Sequence, residues 1–230
     1  RKAYEAKAKK FIRMDGRTNF GEGGAFHDIP YVIKNFGIVP QDVYTGLEKK
    51  SDSYNHGDMF KDLNRIVGDA RSQGNGIQQS WVDEYNATLD ENIGELPETF
   101  KYKGEKYTAL TFYNSLGIDM DDYVSITSFT NHPMYKTCML QIPDNWLWEE
   151  SYNVSMDEMY AATLNALKSG YTVAWGADVS EEGFSFRNGL AVVPRAHTPQ
   201  ARNAIDHLTA IVGGEVNALS GHKNARLLLE

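Results

Sequence analysis

Gly23-Gly24-Ala25-Phe26-His27-Asp28-Ile29-Pro30-Tyr31-Val32-Ile33-Lys34-Asn35-Phe36-Gly37 couples two adjacent glycines to a segment with helical patterning. Neither glycine carries a side chain, so the pair leaves backbone N–H and C=O groups open to an extended peptide, much as a sheet edge takes up a strand. The pattern predicts a helix over 25–35 that stops at Gly37. Pro30 falls inside it and must kink it or move its start, because proline lacks an N–H and clashes with the preceding turn. Upstream, the first dozen residues read as the middle of an amphipathic helix, with Tyr4, Ala8, Phe11 and Ile12 on one face.

Downstream the texture changes. Residues 51–127 are polar and helical in pattern, with helices expected over 59–70 and 78–92 and the glycine turn Gly74-Asn75-Gly76 between them. From residue 128 strands and helices mix. Ser155-Met156-Asp157-Glu158 sets a serine three residues ahead of a glutamate, which satisfies orphan backbone donors reciprocally and starts a helix. That helix should run to about Lys168 and stop at Gly170. Residues 171–177 then read as a buried strand, 190–193 as another, and 134–142 as a third. Helices first and strands later point to an α+β fold rather than a doubly wound sheet.

The 230 residues, 41% hydrophobic and 23% charged, suffice for one large domain or two small ones. A net charge of −8 argues against a general nucleic-acid binder, which needs a basic face. No apolar run approaches the roughly 20 residues that span a bilayer, so no membrane partner is expected. The charged opening is followed by no apolar core and is not a signal peptide. A chain that opens inside a helix without a methionine is expected to have lost a segment upstream, and the closing Leu229-Glu230 reads as the scar of an expression tag.

Cys138 is the single cysteine, so no intrachain disulfide forms and a reducing compartment is favoured. Period two puts it on one strand face with Leu140 and Ile142, where it reads as a small buried apolar residue rather than a nucleophile. The six histidines show no pair at metal-ligand spacing, and no metal is expected. Asp119, Asp121 and Asp122 lack the alternating positions and distant glutamate of a calcium loop and read as a helix start or solvated loop. Gly21-Glu22-Gly23-Gly24 and Gly74-Asn75-Gly76 lack the lysine and hydroxyl of a phosphate loop. Asn86-Ala87-Thr88 and Asn153-Val154-Ser155 are glycosylation-type triplets of the kind chance supplies. Asp206-His207 ahead of Leu208-Thr209-Ala210-Ile211-Val212-Gly213 puts a histidine on an apolar strand, as a satisfied core residue or a functional imidazole.

Residues 23–40 resemble the bleomycin hydrolase and bacterial aminopeptidase C family of papain-like cysteine peptidases. The stretches 123–135, Ile142-Pro143-Asp144-Asn145-Trp146, 153–159 and 170–181 resemble the same family in the same order, so the likeness runs from about residue 4 to residue 193. The resemblance implies a papain-like two-subdomain α+β fold, partial here. A helical subdomain would cover 1–50, a helical insertion 51–127 and a β-barrel-type subdomain 128–230. It implies cysteine-type aminopeptidase activity on peptide substrates, with no cofactor. Gly23 and Gly24 match the substrate-binding glycines, His207 the catalytic histidine and Asn224 its orienting asparagine. Homo-hexameric rings and a cytoplasmic location are the family defaults, with an export signal on a lost N-terminus left open.

This sequence departs from that pattern in three places. The family's cysteine and oxyanion-hole glutamine would precede residue 1, so the nucleophile is expected on an N-terminal fragment and this chain alone is expected to be inactive. The connection from Val193 to Asp206 is shorter than the family's. Lys223-Asn224-Ala225-Arg226 lacks the tryptophan and glycine of the family's Lys-Asn-Ser-Trp-Gly. Non-catalytic peptide binding, or assembly through 51–127, are the other roles such a chain would fit.

Overall fold

A computed structural model of the chain describes residues 1–47, 54–177, 185–187, 190–192, 207–217 and 224–229. The chain divides into two compact units, residues 1–123 with 143–147, and residues 124–142 with 148–230.

In the first unit, α1 (Lys2–Arg13), α2 (Asp28–Phe36), α3 (Gly57–Gln73) and α4 (Gln79–Ile93) precede a hairpin of β1 (Phe100–Tyr102) and β2 (Glu105–Tyr107), followed by α5 (Ala109–Ser115). The helical period decides what is buried. Met59, Leu63, Ile66, Val67 and Ala70 line one face of α3, Trp81, Val82, Tyr85, Leu89 and Ile93 one face of α4, and Ala8 and Ile12 of α1 close the cluster. The segment read as an insertion therefore shares its core with the first helix. Gly74 ends α3 in the left-handed region, at φ 68°.

α2 starts at Asp28, three residues later than its pattern indicated. Pro30 thereby falls in the first turn, where its missing N–H would have had no intrahelical acceptor. Gly37 ends the helix at φ 77°, and a Cβ there would collide with the backbone of Ala109. The next residue, Ile38, donates its N–H to the Ala109 carbonyl at 3.2 Å, which ties the end of α2 to α5. The acidic cluster is the helix start expected of it, a single 3-10 turn over Met120–Asp122 capped by Asp119. Asp119 accepts from the Asp121 N–H at 2.9 Å, and Asp121 pairs with Lys34 at 2.6 Å.

The second unit contains two sheets. β3 (Ile126–Thr127), β4 (Thr137–Met139) and β5 (Glu150–Asn153) form the smaller one, with β5 central, parallel to β3 and antiparallel to β4. Cys138 on β4 is 7% exposed, and burial, then the neighbouring Glu150 carboxylate, push its thiol pKa up. Asn153 is wholly buried, so the triplet it opens offers no solvent-accessible acceptor. Its amide oxygen accepts from the Phe129 N–H at 2.7 Å, and its amide nitrogen donates to the Phe129 carbonyl at 2.9 Å and reaches those of His132 and Pro133 at 3.2 Å. One side chain thus fixes the turn over 129–134 from within.

α6 (Met156–Lys168) opens on the expected box: Ser155 caps the Glu158 N–H, and the Glu158 carboxylate accepts from the Ser155 N–H at 3.0 Å and from its hydroxyl at 2.6 Å. β6 (Val173–Ala177), β7 (Ser185–Arg187), β8 (Leu190–Val192), β9 (His207–Asn217) and β10 (Asn224–Leu229) form the larger sheet, in the order β6-β9-β10-β8-β7, with every neighbouring pair antiparallel. The strand read over 171–177 is not buried throughout. Tyr171, Thr172, Ala174 and Gly176 are exposed while Val173 and Trp175 are half-buried, the alternation of an antiparallel sheet with one open face. Val193, the connection 193–206 and Lys223 lie outside the described residues. Among the described residues, no helix is long and apolar enough to cross a membrane.

The first core carries one uncompensated polar atom. Tyr85 is fully buried in the helical cluster, and its hydroxyl has no hydrogen-bond partner among the described residues. Tyr85→Phe should leave stability unchanged or raise it by up to ~1 kcal/mol in urea denaturation, whereas Leu63→Ala should cost about 3 kcal/mol. A comparable loss in Tyr85→Phe would contradict the packing described. At α6, the bonds from Ser155 hold the Glu158 carboxyl below the usual carboxylate range. Its contribution is therefore present above the unfolded-state pKa and disappears as pH falls through the lower folded-state value. Protection of the amides in the first turn of α6 should fall over that acid range, and Glu158→Gln should show no such step.

Candidate functional site

Lys7 sits on the buried face of α1 with 4% of its side chain exposed. So enclosed a charge needs oxygen partners, since isolating it from water costs several kcal/mol. The ammonium donates to the Gly23 carbonyl and, at 3.2 Å, to the Gly21 carbonyl. It lies 3.9 Å from the Asp28 carboxylate, at the start of α2, and 5.9 Å from the centre of the Trp146 ring. Burial pulls the Lys7 pKa down and pushes that of Asp28 up, each against the other's charge. Desolvation therefore outweighs the attraction within this pair. Asp144 adds a second negative charge near Lys7 and accepts from the Asn19 amide at 3.0 Å. Tyr31 of α2 meets Trp146 edge-on at 5.7 Å between ring centres.

The glycine pair lies against these carboxylates. A Cβ on Gly23 would run into the carboxylate of Asp144, and one on Gly24 into that of Asp28. Asn19 bonds the first, and Lys7 stands 3.9 Å from the second. A side chain at either position would require that carboxylate to move. Gly23 is exposed, yet its carbonyl is taken by Lys7, so the expectation that both glycines present a free C=O holds only for Gly24. Among the described residues, no hydrogen bond occupies the Gly23 N–H or the N–H and C=O of Gly24.

His207 and Asn224 belong to the larger sheet of the second unit. His207 opens β9 and lies opposite Ala177, the last residue of β6. Asn224 opens β10 and lies opposite Asn217, which ends β9 ten residues on from His207. At ~3.3 Å per residue that is about 33 Å along the strand. The register does not bring Asn224 to His207. The residue of β10 paired closest to the His207 end is Leu229, opposite Ile211. Because antiparallel neighbours run back on each other, a partner for His207 on the next strand must lie near that strand's C-terminal end, which sequence spacing alone does not show.

Sequence reading missed Lys7, Asp28 and Asp144. Lys7 did leave a signal: it stands three residues after Tyr4 and four before Phe11, inside the apolar stripe of α1. A charge in such a stripe calls for a partner. Asp144 left no comparable signal, because what places it is a contact across more than a hundred residues of chain.

The Peptidase C1-like family matches residues 5–194. Aminopeptidase C of Lactococcus lactis subsp. lactis (strain IL1403) is 25% identical over 200 residues, which is 74% of this chain and 46% of that protein. Aminopeptidase E of Lactobacillus helveticus is 26% identical over 182 residues, 69% of this chain and 42% of that protein. The chain thus spans less than half the length of the curated relatives it matches. The crystal structure of PepW from Lactobacillus rhamnosis HN001 matches 80% of this chain and 51% of its own with a TM-score of 0.54; at 17% identity that likeness concerns the fold. With most of its length matched in register, and the α+β architecture shared with a solved relative, the chain belongs to the Peptidase C1-like family.

Proposed function

We propose that this chain is the peptide-binding part of a cysteine-type aminopeptidase of the bleomycin hydrolase kind, working with a thiol carried on polypeptide outside these 230 residues. The glycine strip is the observation that supports it: an exposed Gly23 and a Gly24 whose N–H and C=O are unoccupied among the described residues. Two such groups on one residue are what an extended peptide needs to add itself as a strand.

The thiol is outside because Cys138 is unsuited to the work. An attacking thiolate requires a lowered pKa and access, conferred by a neighbouring cation or a helix N-terminus. Cys138 is the chain's single cysteine, it is buried on β4, and its thiol pKa is raised. In the proposed reaction the external thiolate attacks the carbonyl carbon of the first peptide bond while His207, the first residue of β9, carries the proton. The C–N bond breaks, His207 protonates the leaving amine, and water then hydrolyses the acyl thioester. Asn224, which the register pairs with Asn217 at the far end of β9, is assigned no role in this reading.

A second reading, self-association through 51–127, is favoured by one feature. Leu110, Leu116 and Ile118 are 43%, 42% and 45% exposed. Charged substitutions there would lower the oligomeric state in sedimentation if the surface is an interface, without touching peptide hydrolysis by an isolated protomer.

The direct test uses the enzyme that contains this chain and a dipeptide amide with a free N-terminus. His207→Ala should lower kcat on the order of a thousandfold or more with little change in KM, and Cys138→Ser should leave the rate unchanged. The N-acetylated substrate should not be cleaved. A His207→Ala enzyme within tenfold of the parent, or equal cleavage of the blocked peptide, would contradict the assignment.

A further inference from the structure

We propose that Lys7 is the positioning residue of the peptide-binding strip: its buried ammonium holds the Gly21 and Gly23 carbonyls inward and leaves Gly24 as the one residue that pairs with a bound peptide backbone. The inference rests on the peptide-binding reading above. An ammonium has three N–H donors. Here two are directed to the carbonyls of Gly21 and Gly23, and the group also faces Asp28 at 3.9 Å. Gly21 and Glu22 lie in a bend, and the chain then runs through Gly23 and Gly24 to the turn ahead of α2. Drawing the Gly21 and Gly23 carbonyls to one cation fixes the path of the chain into Gly24, whose N–H and C=O are unoccupied among the described residues.

The surroundings hold the cation itself. Lys7 comes from a helix whose Ala8 and Ile12 are locked in the core, so its Cα does not follow the loop. A Cβ on Gly24 would meet the Asp28 carboxylate and come within 3.8 Å of the Lys7 ammonium, so the strip is seated directly on the Lys7–Asp28 pair. An apolar residue at position 7 would fill the space but leave two carbonyls unpaired and free to turn. A strip held only by packing would not depend on the donor. The recognition consequence is a short ladder: one residue of the bound peptide is aligned through its backbone, and its neighbours are left to side-chain pockets.

The test uses the full 230-residue chain and the tetrapeptide Ala-Phe-Ala-Ala, with analogues N-methylated at each amide in turn. In the parent chain one N-methyl analogue should bind at least tenfold more weakly than the others, because a single peptide N–H meets the Gly24 carbonyl. Lys7→Met should move the carbonyl carbon resonances of Gly21 and Gly23, weaken the unmodified peptide at least tenfold, and erase the difference among analogues, with circular dichroism unchanged. Lys7→Met/Asp28→Asn, which leaves no lone buried carboxylate, gives the same readout should the single variant unfold. A folded variant that keeps both the parent affinity and the single-analogue discrimination overturns the role of Lys7 while leaving peptide binding standing. A parent chain indifferent to every N-methyl analogue brings down the peptide-binding reading instead, and the Lys7 role with it.

Discussion

The ammonium of Lys7 is enclosed beneath a glycine turn, and much of the first unit is arranged so that this charge is tolerable. Left unpartnered, it would cost several kcal/mol. Gly21 and Gly23 supply carbonyls, Asp28 a carboxylate and Trp146 an aromatic face, and these come from three separate stretches of chain. Asp144 and Trp146, on the segment 143–147 that groups with the first unit, are two of the ammonium's neighbours. α2 begins at Asp28, whose carboxylate lies at the positive end of the helix and beside a cation, while burial still raises its pKa. At 23 and 24 the carboxylates of Asp144 and Asp28 take the space nearest a side chain.

What the sequence disclosed was governed by range. The box at Ser155 and Glu158, the stop at Gly37 and the turn at Gly74 rest on contacts within a few residues, and each is present where the pattern put it. The start of α2 was missed by three residues because Pro30 is equally compatible with a kink and with a first turn. Residues 171–177 were misread because an apolar run does not tell a strand covered on both faces from one covered on a single face. The site was legible in its glycines and not in what holds them. The placing of Asn224 depended on which end of β10 faces which end of β9, and no spacing along the chain reports that.

Cys138 and the glycine strip pull the functional reading in complementary directions. A strip with unpaired backbone groups is an invitation to a peptide, whereas a buried thiol with a raised pKa is unsuited to attack it. The family match accommodates both, because this chain spans less than half of its curated relatives. Binding and catalysis can then reside on different lengths of polypeptide. In the second unit Asn153 is wholly committed to fixing a turn, and His207 is the first residue of β9.

The measurement that bears most directly on this division is peptide mapping after labelling. Protein isolated from its native source would be treated with a peptide-based thiol probe, digested, and the modified cysteine located by mass spectrometry. The label should fall on a cysteine outside these 230 residues, with Cys138 unmodified until the protein is denatured. A peptide probe attached to Cys138 in the folded protein would contradict the assignment of the nucleophile to another segment, and with it the reading of this chain as a binding part.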